Sequence, residues 1–115
     1  MRQHKYNAIK VICTAGHTHD SRKEARRCSE LSKMQEEGMI EDLRVQVSFE
    51  LIPSQKYKTM KSERPCKYIA DFVYKKDGVT IIEDCKGVRV SDYIIKRKLL
   101  KERICVDGEI IFVET

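Results

Sequence analysis

No stretch of this 115-residue chain approaches the roughly 20 consecutive apolar residues of a membrane-spanning helix, so no membrane association is expected. The opening "MRQHKYNAIK" lacks the apolar core of a secretion signal, and a cytosolic protein is the expectation. There is no Pro- or Gly-rich tract and no internal repeat, which fits a small charged globule rather than a disordered segment. The five cysteines (Cys13, Cys28, Cys66, Cys85, Cys105) are widely spaced and include no Cys-x-x-Cys, which argues against a disulfide framework and a zinc ribbon. They read as reduced thiols, mostly small core residues.

What is present is charge. The chain is 36% charged and 41% hydrophobic, with a formal net charge of +5. Its length suits one domain over residues 1–115, large enough for a real core. The basic balance points to a polyanionic partner, with a merely basic surface as the plainer reading.

Read along the chain, "AIKVIC" makes a short strand and Gly16 a turn. "HDSRKEARRCSELSKMQEEG" is a helix with Ser21 as N-cap, Glu24 three residues on as in a capping box, and Gly38 as the stop. Its apolar stripe is Ala25, Cys28, Leu31 and Met34. "LRVQVSFELIP" alternates with period two, placing Leu43, Val45, Val47, Phe49 and Leu51 on one face of a strand. A basic loop over 54–67 follows, then "YIADFVY" and "VTIIEDCKG" as a hairpin around a four-residue "KKDG" loop. "SDYIIKRKLLKER" is a second helix capped by Ser91 or Asp92. Tyr93, Ile94, Ile95, Leu99 and Leu100 face the sheet, with Lys96, Arg97, Lys98 and Lys101 outside. "EIIFVE" is the last strand.

The hairpin carries the chemistry. If Tyr74 faces Val79, Asp71 sits opposite Ile82 with Asp84 on its diagonal, roughly 7–8 Å away, near enough for both to share one hard cation. Alternation puts Asp71, Asp84 and Lys86 on one face and turns Glu83 and Cys85 to the other. A one-residue slip would exchange Asp84 and Glu83. Paired carboxylates on an apolar hairpin call for a cation between them, although a plain Asp–Lys cross-strand pair accounts for the same residues. Glu24, on the edge of the helix stripe, can reach the same surface, while its place in a capping box explains it without chemistry.

Asp71, then twelve residues, then Asp84-Cys85-Lys86, with a helix carrying Glu24 ahead, resembles the PD-(D/E)XK nuclease superfamily. "DSRKEARR", "GMIEDLRVQVSFELIP", "YIADFVY", "EDCKG" and "YIIKRKLLKER" together resemble a small phage- and prophage-associated family within it. Its members are mostly described only as endonucleases or Holliday junction resolvase-like proteins. The resemblance runs from about Lys5 to Val113 and departs from the superfamily's name at Ala70, where a proline would stand. It implies an α/β, restriction-endonuclease-like αβββαβ core: a mixed central sheet flanked by two helices, here with a short extra N-terminal strand. It further implies a Mg²⁺-dependent endonuclease (Mn²⁺ substituting) that hydrolyses phosphodiesters of branched or junction DNA in phage recombination or replication, in the host cytoplasm. Asp71, Asp84 and Glu24 would be catalytic and metal-binding acids, the Cys85 backbone carbonyl a further ligand and Lys86 the motif lysine. Lys86 would orient the attacking water or stabilise the phosphorane. Gln46 either faces this site or is an ordinary edge-strand glutamine. Lys56, Lys58, Lys61, Arg64 and Lys67 of the loop, with Lys96, Arg97 and Lys98 of the second helix, would contact phosphates. Two coordinated cuts in a junction would require a homodimer, for which no dimer stripe is evident.

Other readings compete. One is a catalytically inactive module on the same fold that binds nucleic acid or a host protein, though decayed copies would lose an acid or the lysine, and all four residues are present. Another is a zinc protein built on "HTHDS", with His17, His19 and Cys13 or Cys28 as ligands. It is disfavoured because no second pair with ligand spacing follows and His4 is remote.

Overall fold

The computed structural model describes residues 11–13, 16–19, 21–85 and 90–115. Residues 8–10 of the expected first strand, and Lys86, lie outside the described residues. The remainder of that strand, β1 (Val11–Ile12), is the first arm of a small antiparallel hairpin with β2 (Thr18–His19). The Cys13 amide donates to the His17 carbonyl at 2.9 Å and the Gly16 amide to Cys13 at 3.0 Å. Gly16 closes this turn at φ +88°, where a Cβ would be strained.

Helix α1 (Arg22–Glu36) starts where its cap signal predicts, the Ser21 hydroxyl accepting from the Glu24 amide at 3.1 Å. Three strands follow as an antiparallel meander: β3 (Glu41–Ile52), β4 (Cys66–Lys76) and β5 (Val79–Asp84). Helix α2 (Ser91–Arg103) then carries the chain across to β6 (Ile110–Glu114), which pairs parallel with β5, as a parallel pair requires a crossover. The result is an α/β fold with a mixed sheet of order β3-β4-β5-β6 and two helices. Phe72 and Ile81 join Ala25, Cys28 and Leu31 beneath α1, while their chain neighbours Val73 and Ile82 join Tyr93 and Leu100 beneath α2. The helices therefore cover opposite faces of the sheet. Among the described residues no helix is long and apolar enough to cross a membrane.

Four expectations change, besides the strand at Thr18–His19, where the sequence suggests a turn and the helix start, and the opening of β4 at Cys66 and Lys67, which the sequence places in the loop. The hairpin loop has two residues, not four: Lys75 and Lys76 stay in the ladder opposite Thr80 and Val79, and Asp77 and Gly78 turn at φ +51° and +80°, both left-handed as in a type I′ turn. The register shifts by two, pairing Phe72 with Glu83 and, one step on, bringing Asp71 level with Asp84. An even shift preserves side-chain parity. Secondly, β3 does not present one apolar face: Leu43 and Val45 pack toward α1, whereas Val47, Phe49 and Leu51 pack toward α2. The switch falls at Gln46, at φ +52°, where left-handed backbone breaks the pleat. Thirdly, α2 is capped by Val90 without a side-chain hydrogen bond, Ser91 being already helical. Finally, Ile95 is exposed, because the stripe of α2 is narrower than the sequence suggested.

Candidate active site

The break in β3 organises the acids. Gln46 stands across from Asp71, between the β3–β4 pairs Val45↔Phe72 and Val47↔Ala70. Its side-chain amide donates to Glu24 Oε1 at 2.8 Å and lies 3.3 Å from Asp71 Oδ1, joining helix α1 to strand β4. Asp71 Oδ2 accepts from the Cys85 amide at 2.9 Å, which draws the end of β5 to the same place. Glu24, Asp71 and Asp84 are all buried. Of the residues predicted for the site, the structure thus connects Glu24, Gln46, Asp71 and Cys85 in one hydrogen-bonded chain.

Asp84, at the end of β5, also bonds on the α2 side of the sheet. Its Oδ2 accepts from the Tyr68 hydroxyl in the core beneath α2. Burial, and then the bond to Asp84, push the Tyr68 phenol well above its ordinary range. A cleft of about 220 Å³ opens here, lined by Lys67, Tyr68, Ile69, Asp84, Asp92, Tyr93 and Lys96. It puts a buried carboxylate next to two of the lysines expected to meet phosphate.

Glu83, adjacent in sequence, faces the other way. Arg27 grips its carboxylate through Nε at 2.6 Å and Nη2 at 3.1 Å, with Tyr74 Oη at 2.7 Å and Thr115 Oγ1 at 3.1 Å completing the set. The bond to Glu83 holds the Arg27 guanidinium even higher than usual. This is a satisfied ion pair between a half-buried guanidinium and a buried carboxylate, tying β5 to α1.

The remaining basic residues divide. Lys56, Lys58, Lys61 and Arg64 are exposed on the β3–β4 loop, which a Gln55↔Glu63 bridge pinches, and Lys98 is exposed on α2. Arg97, expected on the outside, bonds Glu114 at 3.0 and 3.1 Å and stacks over Tyr93, so it is already engaged within the fold. A cleft of about 400 Å³ between β3 and the turn end of the hairpin holds none of the predicted site residues.

The fold also assembles a constellation that linear spacing disfavours. Cys13, His17, His19 and Cys28 bring one sulfur or ring nitrogen each to within 4.8 Å of one another. The four come from the β1–β2 hairpin and the buried face of α1, so linear spacing could not announce them. "HTH" beside two core cysteines was the available signal. Burial and the neighbouring Cys13 thiol push the Cys28 thiol up to about 12.

The chain matches the model of the family described as "Protein of unknown function (DUF1064)" over residues 3–111. No curated protein and no solved structure matches it.

Proposed function

The chain belongs to the DUF1064 family, which brings no activity with it, and from the chemistry of its own residues we propose that it is a metal-dependent deoxyribonuclease of the PD-(D/E)XK type. The observation that carries the reading is the Gln46 amide set between Glu24 Oε1 and Asp71 Oδ1, with Asp71 and Asp84 each one residue beyond the last ladder pair, Phe72↔Glu83. An amide hydrogen-bonded to two carboxylates stands where a shared cation would be attracted. A donor set of carboxylate oxygens suits a hard ion such as Mg²⁺ or Mn²⁺. Asp71, Asp84 and Glu24 would hold it, with the Cys85 carbonyl as a further oxygen. When bound, the ion lowers the pKa of water and offsets charge on a phosphate.

The protein's own groups do the rest. Tyr68 fixes the Asp84 carboxylate, and the Cys85 amide fixes Asp71, so both acids are oriented before substrate arrives. Lys67 and Lys96 on the rim of the Asp84 cleft, with the exposed lysines and Arg64 of the β3–β4 loop, attract the phosphodiester backbone without reading bases. Lys86 is assigned the role of orienting water or stabilising the phosphorane. Branched DNA is the proposed substrate class on the strength of the resemblance to junction-resolving nucleases. Cutting both strands of a junction would take two copies of the chain.

The test is incubation of the purified chain with supercoiled, linear, flap and four-way-junction DNA, with and without Mg²⁺ or Mn²⁺. Metal-dependent cleavage, greatest on branched substrates and lost in Asp71→Ala and Asp84→Ala, is expected. Lys86→Ala should cut at least about 100-fold more slowly while binding DNA normally; cleavage at the wild-type rate would remove Lys86 from the mechanism. Binding without cleavage of any substrate would make the chain a DNA-binding module instead.

A further inference from the structure

Cys13, His17, His19 and Cys28 have no part in phosphodiester chemistry, and each has a bland explanation alone. Buried cysteines are common small core residues, and a histidine near a helix often only packs. Their convergence is harder to explain that way. Cys13 and Cys28 Sγ are 3.3 Å apart, His17 Nδ1 is 3.2 Å from Cys28 Sγ, and Cys13 Sγ is 3.8 Å from His17 Nδ1. A tetrahedral zinc ion with Zn–S near 2.3 Å and Zn–N near 2.0–2.1 Å has ligand-to-ligand edges of about 3.3 to 3.8 Å. The three separations approximate one face of that polyhedron, and the His19 ligand atom lies within 4.8 Å of the other three.

We propose that Cys13, His17, His19 and Cys28 form a structural Zn²⁺ site that clamps the β1–β2 hairpin to helix α1. Two thiolates and two imidazoles are a donor set for zinc and a poor one for Mg²⁺, so this centre is chemically distinct from the carboxylate site. Four protein ligands close the coordination sphere and leave no position for substrate.

Two further features fit. The strands of the β1–β2 hairpin are two residues each, far too short to hold together through their ladder, and a metal bond from each arm to α1 supplies what pairing cannot. Glu24 Oε2 lies 3.5 Å from His19 Nδ1, the arrangement in which a carboxylate orients a ligating imidazole, leaving Nε2 for the metal. The same carboxylate's other oxygen accepts from Gln46. Zinc would therefore position Glu24 at the edge of the acid site through His19.

The test is metal analysis of the full chain purified under reducing conditions without chelator. About one zinc per chain is expected. Replacement by Co²⁺ should give the intense absorption of tetrahedral cobalt with a thiolate-to-cobalt charge-transfer band. Cys28→Ser and His17→Ala should lose the metal and the band. His17 is only half-buried, so H17A separates loss of a ligand from loss of the fold, checked by circular dichroism. Asp71→Ala should keep the zinc, which distinguishes failure here from failure of the nuclease reading. A folded wild-type chain that takes up no zinc, a Cys13–Cys28 disulfide in its place, or zinc retained by both ligand variants would overturn the proposal.

Discussion

Glu83 and Asp84 share a peptide bond and have opposite surroundings. Glu83 receives both arms of hydrogen bonding from Arg27 and one bond each from Tyr74 and Thr115, so its charge is neutralised inside the fold. Asp84 takes the Tyr68 hydroxyl and fronts a cleft with lysines on its rim. Substituting each should have different consequences. Glu83→Gln removes the buried counter-charge of the Arg27 guanidinium, leaving it the exposed Glu30, and should lower unfolding free energy by about 2 kcal/mol in urea titration, because hydrogen bonds to charged groups contribute about 1.5–3 kcal/mol. Asp84→Asn keeps the shape and should leave the urea midpoint nearly unmoved while abolishing cleavage. Equal stability losses in the two would mean that both acids are merely structural. Parity along "TIIEDCKGV" separates them even from sequence, since alternation depends only on odd and even positions, and the register error of two leaves it intact.

Among the elements, β3 departs most from its pattern. Five apolar residues at period two read as one face, yet Gln46 at φ +52° sends Leu43 and Val45 to one helix and Val47, Phe49 and Leu51 to the other. Nothing local in "RVQVS" requires this. A glutamine in left-handed backbone is strained by about 1–2 kcal/mol, and tertiary packing on two faces must offset it. Glycine accepts the same φ freely, whereas a β-branched side chain does not. Gln46→Val should therefore be less stable than Gln46→Gly by at least about 1 kcal/mol, measured by chemical denaturation. If valine proved as stable as glycine, the bend would not be an obligatory feature of the strand. The Asp77-Gly78 turn is the opposite case, because its residues favour left-handed φ themselves; the structure differs from the sequence pattern only in keeping Lys75 and Lys76 in the ladder.

For the whole molecule, buried phenols anchor both faces of the sheet. Tyr74 bonds Glu83 on the α1 side, while Tyr68 and Tyr93 bond Asp84 and Glu114 around α2. Desolvation is the first cause raising all three above the ordinary tyrosine value, with the carboxylate bonds second. The unfolded chain releases these protons near pH 10 and the folded chain only well above it, so the unfolded state binds fewer protons in that window. Their contribution to stability is thus complete below about pH 10 and lost as pH rises beyond it. Thermal midpoints should hold through neutral and mildly alkaline pH and then fall steeply, and Tyr68→Phe should blunt the fall. A midpoint that stayed level to strongly alkaline pH would contradict this balance.

The sequence alone determined the order of the two helices and the four strands of the main sheet, though not β2, and it determined the start of α1 at Ser21 and the opposed faces of Glu83 and Asp84. These rest on short-range physics: a side chain capping an amide three residues on, and the two-residue alternation of a strand. It also placed Glu24, Asp71, Asp84 and Lys86 at positions that resemble a nuclease motif. Only the tertiary structure decided the bend at Gln46, the bridge from Glu24 to Asp71, and the meeting of Cys13, His17 and His19 with Cys28 on α1. Each of those joins residues from separate elements, and which side chains meet there depends on how a helix lies on a sheet, a long-range outcome that no spacing along the chain encodes.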